Sequence, residues 1–91
     1  INILPADLFG TAPKGAHRIG LRPDHVTQGE GREAAIGRIE RLGDHSRLHL
    51  KLDGHDIITL ADPHAQYAPG GVVRITPKDP LCFDAQGNRI Y

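Results

Sequence analysis

The sequence predicts an all-β domain, a small sandwich or barrel of short antiparallel strands, and three observations carry that prediction. Leu48, Leu50 and Leu52 alternate with Arg47, His49 and Lys51, and Asp53-Gly54 divides this run from a second, His55 to Leu60. An Asp-Gly pair between two alternating runs is a strong hairpin signal, because a type I′ turn needs positive φ at both central residues. Eleven glycines and seven prolines cut the remainder into short apolar runs. No segment shows a convincing long helical period, and this pattern belongs to small sandwiches and barrels.

The elements follow in chain order. Ile1-Asn2-Ile3-Leu4-Pro5 is a short extended segment that Pro5 confines to a sheet edge or a strand end. Ala6 to Lys14, with Gly10 and Pro13, reads as loop. From Ala16 to Arg22 the residues His17, Ile19 and Leu21 alternate with Arg18, Gly20 and Arg22, which is a strand period. Pro23 stops that strand and holds Arg22 extended, because its ring crowds the preceding residue. Thr27 to Arg32, polar and carrying Gly29 and Gly31, reads as a second loop.

Ala35 to Leu42 places Ile36, Ile39 and Leu42 three apart, as a helix face would. Its shortness and the glycines at 37 and 43 favour a strand, bulged at Gly37. Ala61 to Gly71 is a long connection with room for one helical turn. Val72 to Thr76 is a strand closed by Pro77, and Leu81-Cys82-Phe83 is a shorter one. Asp84 to Asn88 is a turn, and Arg89-Ile90-Tyr91 a tail that pairs again or frays.

Ninety-one residues make a single domain, and so short a chain buries a modest share of its surface. It opens at Ile1 and contains no methionine, so it is expected to be a piece of a longer polypeptide or a chain processed at its start. Eleven basic and eleven acidic residues cancel, which removes long-range attraction for nucleic acid or membranes. No apolar run approaches the ~20 residues that span a bilayer as a helix, and no signal peptide opens the chain. The single cysteine, Cys82, excludes an internal disulfide and fits a reducing compartment.

Six histidines invite a metal hypothesis. On a strand, His45 and His49 lie ~13 Å apart on the face opposite the leucines, too far to share one ion. The favoured reading is solvated or singly hydrogen-bonded rings. Asp44-His45-Ser46 spells a hydrolase triad, but triads are assembled from distant segments and no nucleophile elbow is present. Cys82 lies between Leu81 and Phe83 with no adjacent cation to activate it. The glycines form neither a phosphate loop nor a dinucleotide fingerprint. Phe9, Tyr67, Phe83 and Tyr91 are too few, and no basic stripe interleaves them, for a nucleic-acid groove. Arg22-Pro23-Asp24 is the most informative constellation: a rigid corner with a directed guanidinium. Structurally, Arg22 would pair with a carboxylate to lock the turn; functionally, it would grip another subunit or a small anion.

Five segments, in order along the chain, resemble those of one family. Asn2-Ile3-Leu4-Pro5 is similar to the Asn-x-Leu-Pro that follows the nucleotide-binding domain of sugar-type ABC importer ATPases. Ile19-Gly20-Leu21-Arg22-Pro23-Asp24-His25 resembles that family's Gly-[Ile/Val]-Arg-Pro-Glu-[His/Asp] segment. Ile39-Glu40-Arg41-Leu42-Gly43-Asp44 resembles its Val-Glu-x-Leu-Gly-[Asp/Ala/Asn], and Ala68-Pro69-Gly70-Gly71-Val72-Val73 its Gly-Asp-x-Val lead into a strand. Phe83-Asp84-Ala85-Gln86-Gly87 resembles its Phe-Asp-x-x-Gly. The resemblance is to the transport-associated OB (TOBE) domain of the maltose and glycerol-3-phosphate importer ATPases, and it covers nearly the whole chain. Two departures stand out: only Ala6 to Arg18 separates the first two segments, and Leu81-Cys82-Phe83-Asp84 lacks the histidine common there.

The resemblance implies an OB-type β-barrel of short antiparallel strands. Residues 1–14 would be the leading segment from a nucleotide-binding domain that precedes this chain. It implies a non-catalytic domain that holds no cofactor or metal, ATP and Mg belonging to that preceding domain. The expected partners are a second copy, giving a homodimer, and membrane permease subunits through the parent chain, with no nucleic acid. The expected location is the cytoplasmic face of the cell membrane, peripheral to it. The candidate interface residues are Arg22, Pro23 and Asp24, then Glu40, Leu42, Gly43 and Asp44, then Pro69, Gly70 and Gly71. Two rival readings remain, a small oxyanion-binding module and a nucleic-acid-binding barrel.

Overall fold

Eight strands carry the chain in the computed structural model, which describes residues 1–90: β1 (Asn2–Pro5), β2 (Arg18–Leu21), β3 (Val26–Arg41), β4 (Ser46–Leu52), β5 (His55–Ala61), β6 (Val72–Pro77), β7 (Leu81–Phe83) and β8 (Arg89–Ile90). They form two four-stranded antiparallel sheets, ordered β1-β2-β7-β8 and β5-β4-β3-β6. The β4–β5 hairpin is the one the Asp-Gly pair predicts. Asp53 and Gly54 take φ of 50° and 80°, and Leu52 pairs with His55 across them.

The leucines of β4 face inward with Ile57 and Ala61 of β5, while His49 and Lys51 face outward. Leu4, Ile19, Leu21, Leu48, Ile57 and Ile75 form the deepest part of the core. Residues 1–14, expected as a leading segment, contribute to this same core: β1 pairs with β2, and Leu4, Ala6 and Leu8 are buried. Together the sheets make the small OB-type barrel of the sequence reading.

β3 builds the barrel's curvature. Its first half pairs with β6 and its second half with β4. Thr27 to Arg32, expected as a polar loop, lies within this strand. Gln28 and Arg32 both sit opposite Ile75, so the residues between them bulge out of the ladder. Gly31 (φ 103°) runs so close to β6 that a Cβ would lie 2.0 Å from the Ile75 carbonyl oxygen. The two glycines that suggested a loop are the means by which the strand bends without ending. A second break lies at Gly37, where pairing passes from Ile36–Leu50 to Arg38–His49, as the sequence pattern predicts.

The 61–71 connection holds no helical turn. Among the described residues the one helical segment is the 3-10 turn Pro23–His25. Pro63 and Pro69 lack amide hydrogens, and local bonds from Ala65 N to Asp62 O and from Gly71 N to Ala68 O fold the segment into separate turns. Asp84 Oδ1 accepts from the Gln86 and Asn88 amides, which closes the last turn and lets Ile90 pair with Cys82. Tyr91 of the expected tail lies outside the described residues.

Candidate functional site

The Arg22-Pro23-Asp24 corner owes its rigidity to the main chain. Arg22 is extended (φ −68°, ψ 149°), and Pro23 begins the 3-10 turn. His25 N donates to Arg22 O at 2.9 Å, and Lys78 N to His25 O at 2.8 Å. Beneath the turn, the buried Thr59 hydroxyl donates to Val26 O at 2.9 Å, with Pro23 O at 3.3 Å. The expected pair forms only as a long, solvated ion contact and not as a lock: Arg22 Nε lies 3.9 Å from Asp24 Oδ1, with side chains 70% and 58% exposed. That distance exceeds a hydrogen bond, and two solvated ends gain little from each other. With the turn already held from below, the guanidinium extends into solvent.

Glu40 anchors the second candidate. Its Oε1 lies 2.5 Å from His49 Nε2, 3.2 Å from Arg38 Nη2 and 3.8 Å from Arg47 Nη1. The His49 hydrogen bond, aided by both arginines, holds the Glu40 carboxyl below its ordinary value against an opposing effect of desolvation. Beyond it the β3–β4 hairpin turns through Gly43 (φ 90°), closed by Leu42 N to His45 O at 2.9 Å. Leu42 projects from this tip with 43% of its surface exposed. Asp44 accepts from or pairs with its neighbour, His45 Nδ1, at 2.7 Å. Ser46, the third member of the apparent triad, is buried with its hydroxyl unpartnered, so no hydrogen bond joins it to His45.

The third candidate is a strut of the fold. Gly70 N donates to Ile36 O at 2.8 Å and Ile36 N to Gly71 O at 2.9 Å, so Pro69-Gly70-Gly71 is bound to β3 beside its bulge. The structure does not gather the three candidates into one site. The Arg22 corner lies before the start of β3, the Glu40–Asp44 hairpin at its end, and the Pro69 loop against its middle.

The sequence model of the TOBE domain family matches residues 19–83, from within β2 to the end of β7. The chain belongs to the TOBE domain family. No curated protein matches it. TOBE domains are regulatory or ligand-binding modules rather than catalysts. All three candidate segments fall inside the matched region, while β1 and the loop that follows it precede that region.

Two shallow clefts of this TOBE domain are bordered by charged side chains. One, of about 330 Å³, lies over Gly37 between Arg38, His49 and the Lys51–Asp56 pair. Its cations are occupied, Arg38 by Glu40 and Lys51 by Asp56 at 3.1 Å. The other, of about 350 Å³, is bordered by Asp7, His17 and Arg18. No three potential metal ligands cluster among the described residues.

Four residues of structural consequence escape sequence reasoning. Asn2, Gln28 and Thr59 hydrogen-bond across elements far apart in the chain, and Arg18 flanks an exposed apolar face. Asn2 belongs to the Asn-x-Leu-Pro segment, but nothing local in the sequence reveals what its amide does.

Proposed function

We propose that this TOBE domain is the regulatory and dimerisation domain of an ATP-binding subunit that energises import of a sugar or glycerol-3-phosphate-like solute. ATP and Mg belong to a nucleotide-binding domain of the same parent chain, and the permease subunits are met through that domain at the cytoplasmic membrane face. The carrying observation is the family match across residues 19–83, which contains the Arg-Pro corner with its rigid backbone and solvent-directed guanidinium. A balanced charge and an outward-facing hairpin suit protein contact better than polyanion binding.

In this reading the contact between copies is made at the β3–β4 hairpin, where Leu42 is exposed, and the Arg22 corner receives regulatory partners. Sedimentation equilibrium on the 91-residue chain tests the first part. A monomer–dimer equilibrium lost in Leu42→Ser is expected; a monomer at every concentration removes the dimerisation role. The coding sequence ahead of Ile1 tests the transporter assignment. A phosphate loop and a Leu-Ser-Gly-Gly-Gln signature are expected there, and their absence removes the transporter assignment.

A small-oxyanion module is the second reading, favoured by Arg18, a cation without an ion-pair partner among the described residues, beside the Asp7–His17 cleft. Calorimetry with molybdate, sulfate and a sugar phosphate decides it; saturable heat abolished by Arg18→Gln would displace the purely protein-contact reading.

A further inference from the structure

We infer that the outer face of the β1-β2-β7-β8 sheet docks an amphipathic helix of another protein, one whose apolar stripe is bordered by carboxylates. The strand registers assemble this face from residues far apart in sequence. Ile3 sits beside Gly20, and Gly20 beside Leu81; Pro5 sits beside Arg18, Arg18 beside Phe83, and Phe83 beside Arg89. Their alternates Leu4, Ile19, Leu21 and Cys82 point into the core. Arg22 continues the extended backbone of β2, so it falls on the outer face next to Ile1.

Ile3, on β1, is 50% exposed, a large value for isoleucine on a sheet, and Ile1 just before the strand lies over the same face. Gly20 shapes the patch. A Cβ there would meet Ile1 Cδ1 at 3.1 Å, Phe83 Cε2 at 3.4 Å and Ile3 Cδ1 at 3.5 Å. Three side chains from two neighbouring strands therefore lie down over the glycine and make a low apolar surface, continued by Leu81. A contiguous patch of this kind marks an interaction site more often than isolated exposed residues do.

Charge then selects the partner. Arg18 and Arg22 stand at the two ends of the patch, ~13 Å apart along β2. The Arg18 side chain makes no hydrogen bond or ion pair among the described residues, and that of Arg22 has only the loose 3.9 Å approach of Asp24. No carboxylate occupies an outward position on the four strands; Asp7, Asp24, Asp79 and Asp84 lie in the turns that flank them. A second copy packed here face to face would set arginines against arginines with no acid on the facing strands to meet them. A flat sheet face is ordinarily covered by a helix or another sheet. A helix rising ~1.5 Å per residue spans the two arginines with glutamates about nine residues apart.

The docking surface stands on this geometry; only its description as a regulatory contact rests on the function proposed above. The test uses the isotope-labelled 91-residue chain and a synthetic amphipathic peptide with a leucine stripe bordered by glutamates. Controls are the same peptide with glutamines for glutamates, and phosphatidylserine vesicles. Amide shifts centred on Ile3, Arg18, Gly20 and Leu81 are expected, with affinity falling roughly tenfold for the glutamine peptide and for the Arg18→Gln/Arg22→Gln variant. Ile3→Ser, at an exposed position, is expected to weaken binding with the fold intact. Equal binding of the two peptides, shifts centred on the β3–β4 hairpin, no effect of the arginine substitutions, or preference for vesicles would each overturn the proposal. Sedimentation of the Leu42→Ser chain is a separate measurement, so loss of the dimer reading leaves this result standing, and the reverse holds.

Discussion

The Asn2 side chain stands in for a strand partner of Ile58. Its Oδ1 accepts from Ile58 N at 2.8 Å while its Nδ2 donates to Ile58 O at 2.9 Å, and Nδ2 also reaches Leu21 O at 3.1 Å. β1 and β5 belong to different sheets, so one side-chain amide ties the two together where no ladder does. Asn2→Ala would leave the Ile58 amide and carbonyl without partners at a largely closed junction, which costs about 1–3 kcal/mol per orphaned group. Asn2→Asp keeps the acceptor but faces a carboxylate toward two carbonyl oxygens, so it is expected to be worse than alanine. Urea midpoints with an unchanged m-value check this; a wild-type midpoint for Asn2→Ala would show that the barrel closes without the amide.

The two glycines in the β3 bulge separate strain from collision. Gly29 has a φ of 115° but open space around a notional Cβ, whereas Gly31, with φ of 103°, would drive that atom to 2.0 Å from Ile75 O. Gly29→Ala is expected to cost about 1–2 kcal/mol from backbone strain alone. Gly31→Ala must also push β6 away from β3, and its expected cost is about 3 kcal/mol or more. Equal thermal midpoints for the two variants would mean that the close approach to β6 yields without penalty.

These cases show what the sequence makes legible. The Asp53-Gly54 hairpin, the Gly37 bulge and the Asp84 turn are local events, and each leaves its residue signature within a few positions. The 27–32 segment misleads because glycine and polar residues mark a bulge and a loop alike; only pairing with Ile75, far along the chain, distinguishes them. Arg22 misleads in the same way. The adjacent Asp24 looks like its lock, but the lock is Thr59, held against the turn from β5. Glu40 was recognisable as a candidate, yet its closest partner, His49, is set by the β3–β4 register and not by spacing in the chain. The apolar face over Gly20 is unreadable from sequence, since it joins Ile1, Ile3 and Phe83 through two strand pairings.

Thr59 gives the Arg22 corner its own test. Its hydroxyl donates to Val26 O and accepts from Gln28 Nε2 at 2.8 Å. Thr59→Val keeps the shape and removes both bonds, though Gln28 retains Leu60 O as an acceptor at 2.8 Å. The expected loss is about 1–2 kcal/mol, accompanied by faster hydrogen exchange at the His25 and Lys78 amides, which close the turn. Slow exchange at those two amides in the variant would place the corner's rigidity elsewhere.

Glu40 makes stability depend on pH in a direction that its surroundings determine. The His49 hydrogen bond, then Arg38 and Arg47, favour the ionised carboxylate in the fold and lower its pKa from the ordinary 4.5. A carboxyl depressed on folding adds stability that is fully present above its unfolded value and disappears as pH falls through its folded one. Wild type and Glu40→Gln should therefore differ by a constant amount at neutral pH, and the gap should close as the medium is acidified below 4.5. Because the carboxylate is partly open to solvent and its cations are exposed, added salt should shrink the neutral-pH gap as well. Urea midpoints of both chains across that acid range supply the measurement. A gap that stays constant into acid would mean that Glu40 acts through the shape of its hydrogen bond to His49 and not through its charge.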